Sequence, residues 1–156
     1  MGEGPGPPPL APFGLVLHHD GRWSHEGDPF LNERLRAAFD RSVVFLPDEG
    51  VYVVQLGRYR GQIIVEEAAF FVRDFDPETG VLSLSDQSSE LLAIQTLHTS
   101  PHDGALLCLV KTELREGGLL ARFGHAAQAE LLDAAEETDR GPALRMGGAL
   151  HPLPPL

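Results

Sequence analysis

The side chains able to carry chemistry are few and scattered. Seven histidines occur: His18, His19, His25, His98, His102, His125 and His151. His18 and His25 flank one tight turn, with Asp20 and Glu26 beside them. Two imidazoles and a carboxylate could hold zinc or iron. Adjacent residues on a strand face opposite ways, so only one of His18 and His19 can join a site with His25. The His-Glu-x-x-His spacing of a helical metal site is missing, and no metal or other cofactor is expected. Glu66 and Glu67 are paired carboxylates on an apolar strand. A strand alternates its faces, so one of the two turns toward the core side or the strand ends there. A carboxylate forced inward would have a raised pKa suited to acid–base work. Cys108 sits between Leu107 and Leu109, where burial raises a thiol's pKa and makes it core rather than nucleophile. Ser83, Ser85, Ser88 and Ser89 lie in no Gly-x-Ser-x-Gly elbow. Phosphate-cradling glycine loops are also missing. Trp23 is the single tryptophan and Lys111 the single lysine. With Arg73 and Arg122, Lys111 could bind a carboxylate or phosphate in a cleft. No catalytic constellation stands out.

The elements that must position these groups can be read from patterning. Gly14 to His19 reads as a strand, and Asp20-Gly21 supplies the positive φ of a tight hairpin turn. Asp28-Pro29 reads as a helix start, followed by Leu31, Leu35, Ala38 and Phe39 at helical spacing. Val51–Leu56, Gln62–Glu67, Ala69–Phe75 and Val81–Ser85 read as strands, with a turn at Asp76–Gly80. Ala105–Thr112 and Leu119–Phe123 are strands, Ala126–Glu137 a helix, and Ala143–Met146 and Ala149–Leu153 short strands around Gly147-Gly148. Both halves then read β-hairpin, helix, strands. An offset of 97 residues aligns Leu35 with Leu132 and Ala38 with Ala135. The expected fold class is α+β, with two tandem related modules, each β-hairpin–helix–antiparallel strands, packed into one compact unit. The modules are placed at residues 13–85 and 86–156, after a disordered Pro/Gly-rich tail at residues 1–12.

Composition bounds the function. The chain has 156 residues, 23 acidic against 12 basic, and a net charge of −11. That length buries a core without disulfide or metal. The acid excess argues against nucleic acid and against an anionic membrane surface as partners. One cysteine excludes an intramolecular disulfide. No apolar run approaches the roughly twenty residues of a membrane span. The N-terminal residues lack the basic and apolar regions of a signal peptide, and a cytoplasmic location is expected.

Several stretches resemble a known family. Asp20-Gly21-Arg22-Trp23-Ser24-His25-Glu26-Gly27-Asp28-Pro29 resembles the opening of the bacterial family called domain of unknown function 1285. So does Val65-Glu66-Glu67-Ala68-Ala69-Phe70-Phe71-Val72, where the family tends to carry Val-Glu-Asp-Ala-Pro-Phe. Val110-Lys111 stands where the family favours Val-Arg. Gly118 to Phe123 through Glu130-Leu131 resembles its helix-entry motif. Met146-Gly147-Gly148 with His151-Pro152-Leu153 resembles its terminal Ser-Gly-Gly strand. The resemblance spans Leu17 to Leu153. It departs at Gln128-Ala129, where the family often has an aromatic pair, and at His125, where it often has a basic residue. The resemblance implies two related α+β modules; the family's activity is not established, with signalling or ligand sensing suggested.

Three functional readings are open. The first is a non-catalytic ligand-binding or sensing module with a site at the seam between modules, formed by Trp23, His25, Glu67, Lys111 and Arg122. These residues would pair an apolar wall with a cationic corner, which suits a small anionic molecule. The second is a hydrolase using a carboxylate or metal near His25 and Glu67. The third is a subunit that binds a protein partner and no small ligand.

Overall fold

The computed structural model describes residues 11–57 and 59–156. The chain forms two compact units that divide between Glu67 and Ala68, earlier than the 85/86 division expected from the sequence. The architecture is α+β, dominated by sheet. Of the tail expected at residues 1–12, residues 1–10 lie outside the described residues, while Ala11 and Pro12 already belong to a strand.

The first unit holds β1 (Ala11–Leu17), β2 (Trp23–His25), β3 (Asp28–Pro29), α1 (Glu33–Ser42), β4 (Val43–Leu46), β5 (Val51–Leu56) and β6 (Tyr59–Val65). Its sheet runs β3-β2-β1-β6-β5-β4. The expected turn forms: Leu17 pairs with Trp23, and Gly21 takes φ +90° while its N–H donates to the His18 carbonyl at 3.0 Å. β1 then lies parallel to β6, with Val16 opposite Ile64 and Leu17 opposite Val65.

The helix departs from expectation. Asp28 and Pro29 form an edge strand, and α1 starts four residues later. Asn32 caps it, its side-chain oxygen accepting from the Leu35 N–H at 3.0 Å. Leu31 lies outside the helix, 84% exposed. The side chain that α1 packs is Phe39, whose ring sits 5.5 Å from Trp23 and 5.2 Å from Phe30.

The second unit holds β7 (Phe70–Asp76), β8 (Val81–Leu84), β9 (Ser89–Leu91), a short 3₁₀ turn (Ile94–Thr96), β10 (His98–Thr99), β11 (Leu106–Val110), β12 (Leu119–Phe123) and α2 (His125–Asp133). Its main sheet runs β9-β8-β7-β12-β11-β10, again with the first strand parallel to the last. Leu82 and Leu84 alternate inward as expected. Phe70, Phe75, Leu107, Leu119 and Leu131 are its large buried side chains. A separate three-stranded sheet completes the unit: β13 (Ala135–Thr138), β14 (Gly141–Met146) and β15 (Ala149–Pro152). Gly147 and Gly148, at φ +62° and +81°, make the two-residue turn between its last strands.

Two expectations are corrected. Glu136 and Glu137 belong to β13, not to the second helix. The helices do not correspond: α1 lies between the third and fourth strands of its sheet, whereas α2 comes after the sixth of its own. Leu35 and Leu132 are 42% and 58% exposed, so they are not equivalent core positions. Their spacing matches because Ala and Leu recur in any amphipathic segment. No described helix is long and apolar enough to cross a membrane.

Trp23 is 1% exposed and closes the first unit's aromatic cluster. Trp23→Ala should lower unfolding free energy by about 3–5 kcal/mol, read from urea denaturation. An unchanged midpoint would mean that the ring contributes no packing.

Candidate functional site

Parallel pairing brings the C-terminal ends of β1 and β6 to one edge of the first sheet. Such ends are where side chains leave the ladder and become available for chemistry. The Glu66 N–H donates to the Leu17 carbonyl at 2.9 Å, which seats Glu66 beside His18 and His19 as the chain leaves β1. Ser24 enters from the neighbouring strand, opposite Val16.

The side chains make one connected chain. His18 Nε2 lies 2.8 Å from Ser24 Oγ, and His18 Nδ1 lies 3.2 Å from Glu66 Oε2. The other carboxylate oxygen accepts the His19 backbone N–H at 3.2 Å and also bonds His19 Nδ1. His19's side-chain bond, then its backbone N–H, then His18 hold the Glu66 carboxyl down from 4.5 to about 2. An ionised carboxylate only accepts, so His18 presents Nδ1–H to it. That leaves the neutral ring's Nε2 lone pair facing the Ser24 hydroxyl. His18, His19 and Glu66 all carry atoms able to ligate a metal. A metal there would have to replace the hydrogen bonds that join them.

The residues singled out in the sequence have other surroundings. Trp23 is buried, its indole N–H donating to Asp40 Oδ1 at 2.8 Å. His25 is exposed on β2, opposite Leu15 on one side and Asp28 on the other. Glu67 is half-buried, one residue past the carboxylate that joins the network. Ser24 and Glu66, each one position from His25 and Glu67, are the residues that bond His18. A strand's period of two decides such a contest, and the sequence does not show which parity faces His18.

In the second unit, Lys111 is buried with φ +55°. Its Nζ lies 2.8 Å from Asp86 Oδ2 and 3.0 Å from Ser88 Oγ, and 4.9 Å from the Phe70 ring centre. Its backbone N–H donates to the Glu90 carboxylate at 3.1 Å. Burial raises the Asp86 carboxyl, but bonds from Lys111 and Ser88 outweigh it, and the net shift is downward. Arg122 forks onto Asp103, with bonds of 3.1 and 2.6 Å. Cys108 is buried, and burial together with the Glu90 charge pushes its thiol up to about 12, as its apolar strand implies.

A groove of about 430 Å³ lies against the three-stranded sheet, lined by Thr138, Asp139, Arg140, Gly141, Pro142, Ala143, Leu150 and Pro152. Sequence reasoning misses it. Its only signal is an Arg-Gly-Pro turn next to an exposed Leu-x-Pro strand.

No family model matches the chain, and no curated protein matches it. Two solved structures do. A DUF1285 family protein from Silicibacter pomeroyi DSS-3 matches with a TM-score of 0.60 at 18% identity, over 97% of this chain and 89% of that one. A DUF1285 family protein from Shewanella baltica OS155 matches with a TM-score of 0.50 at 16% identity, over 78% of this chain and 91% of that one. The chain therefore has the fold of DUF1285 proteins, in agreement with the resemblance in its sequence motifs.

Two outcomes are expected. Glu66 stays ionised in the folded chain where the unfolded chain protonates it. That contribution is present above pH 4.5 and is lost as pH falls towards 2. Glu66→Gln should flatten the acid limb of unfolding stability in that window; an unchanged slope would show that the bonds to Glu66 do not persist in solution. Lys111→Met strands the Asp86 carboxylate and should cost about 3–5 kcal/mol in urea denaturation. The cost is expected because Lys111 is buried against a carboxylate.

Proposed function

We propose that the protein is a ligand-binding or sensing module built from two units with related six-stranded sheets, and that it takes a small anionic ligand with an apolar body. The relation between the units is supported by strand order. β1 to β6 in one sheet and β7 to β12 in the other have the same succession of neighbours, each closed by a parallel first–last pair. Gly21 and Gly80, both with positive φ, stand at equivalent first turns.

The ligand reading is carried by the groove of the C-terminal sheet. Pro142, Leu150 and Pro152 give it an apolar wall, and Arg140 gives it a guanidinium. Lys111, Arg122 and Arg145 are each held by a carboxylate, so an anion arriving there would have to break an ion pair. Among the described residues Arg140 has no such pair. Asp139 on the same turn leaves the groove close to neutral, which suits one anionic group rather than several. The apolar wall and cationic corner expected around Trp23 and Lys111 are thus better supplied by Leu150 and Arg140.

Hexanoate is a suitable probe. Calorimetric titration should show binding to the full chain, and Arg140→Gln should weaken it about tenfold, the loss of one charge-assisted hydrogen bond. Equal binding by Arg140→Gln would sink the reading, as would no binding by the native chain at millimolar hexanoate.

A further inference from the structure

The first unit carries a site that ligand binding in the second does not use. We propose that Ser24, His18 and Glu66 form a nucleophilic acyl-transfer site for small activated carboxylic esters. Three observations converge on it. Ser24 Oγ and His18 Nε2 are 2.8 Å apart, hydrogen-bond distance for a nucleophile and its base. Glu66 holds the far nitrogen of the same ring at 3.2 Å, which fixes the tautomer that leaves Nε2 basic. Glu66 is itself held by His19 through both backbone and ring, so the orienting group is oriented in turn.

The three residues come from three strands: His18 and Glu66 lie just past the ends of β1 and β6, and Ser24 lies within β2, an arrangement that does not depend on chain order. Ser24 is 8% exposed, so any acyl group that reaches its hydroxyl must be small. The His18 side chain is 36% exposed, so the base meets solvent and water can enter after the ester.

The chemistry balances without a redox partner. The Ser24 Oγ–acyl carbon bond forms as the ester's carbon–oxygen bond breaks. The hydroxyl proton passes to His18 Nε2 and then to the departing alkoxide or phenolate. Water next attacks the acyl-serine, His18 takes its proton, the carboxylate leaves, and Ser24 regains its hydrogen. Ser24 and His18 are the reacting groups. Glu66 is a positioning residue that acts through the imidazole.

The test uses the full chain and p-nitrophenyl acetate. Nitrophenolate should be released while one acetyl group accumulates on the peptide containing Ser24, located by mass spectrometry. Ser24→Ala should abolish that adduct and slow release about 100-fold, the lower range for a positioned general base and its nucleophile. Ser24→Cys keeps the side chain's size and should be acetylated at the same position, which guards against a misfolded Ala variant. Glu66→Gln should lower kcat with KM unchanged, because the neutral amide no longer fixes the tautomer that leaves Nε2 basic. A purely structural Ser24–His18 bond would leave kcat where it is. Acetyl found only on histidines or the amino terminus, or a native rate in Ser24→Ala with a native circular dichroism spectrum, would overturn the proposal.

Discussion

Each unit depends on the parallel pairing of the first and last strands of its six-stranded sheet. A parallel pair cannot be closed by a tight turn and needs a crossover of a dozen residues or more. In the first unit the crossover carries the remaining strands and α1 between Leu17 and Tyr59. In the second it carries β8 to β11 between Asp76 and Leu119. The entropy of closing such a loop must be offset by burial, and the central strands are deeply buried. Leu15 and Leu17 of β1, and Phe70, Val72 and Phe75 of β7, are all at most 4% exposed. The hairpins at either side then add locally to a pair that is itself non-local.

The same pairing decides where chemistry is available. Two parallel strands end at the same edge, and the residues just past those ends are thrown together. In the first unit these are His18, His19 and Glu66, and Ser24 is carried back to them by the Gly21 turn. In the second unit the corresponding edge is used differently. Gly124 leaves β12, its N–H bonding the Val72 carbonyl at 3.0 Å, and α2 begins at once. A Cβ at Gly124 would lie 3.3 Å from that carbonyl oxygen, so the close start of the helix favours glycine there. One edge thus carries a polar network and the other carries a helix, although the strand order is the same.

Much of the fold is legible in the sequence, because its signals are local. The Asp20-Gly21 turn, the Asp76–Gly80 turn and the Gly147-Gly148 turn are set by backbone conformations that few residues adopt. Alternation at Leu82 and Leu84 marks an inward face. The helix start differs from expectation because Asp28-Pro29 is as good an edge-strand pair as a cap; Asn32 wins by reaching the Leu35 N–H. The parallel closure leaves no local trace at all. Aligning the two halves through their helices therefore pairs positions that differ in the structure, whereas the order of strand neighbours places β1 and β7 alike. The candidate site is legible as a neighbourhood and not as a set. The histidines, the Asp-Gly turn and the Glu66-Glu67 pair are all visible. Which glutamate and which residue of Ser24-His25 face His18 depends on strand parity, which only the tertiary pairing fixes.

Lys111 shows the limit of arguing from rarity. A single lysine in a chain of net charge −11 reads as a functional cation. Its backbone shows why it is structural. A non-glycine residue at φ +55° is strained unless its surroundings over-determine it. Here the N–H is taken by the Glu90 carboxylate and the ammonium by Asp86 and Ser88, with the Phe70 face beneath. Backbone and side chain are therefore held by different acidic groups on the β8–β9 hairpin. The lysine ties the end of β11 to that hairpin, across strands that do not pair with each other. Arg140 is the opposite case. It is one of eleven arginines and nothing in its spacing sets it apart, yet it stands on a turn beside an apolar groove. In an acidic protein the rare cation is where the acids have already converged. Arg140, by contrast, stands on a turn with no carboxylate of the described residues paired to it.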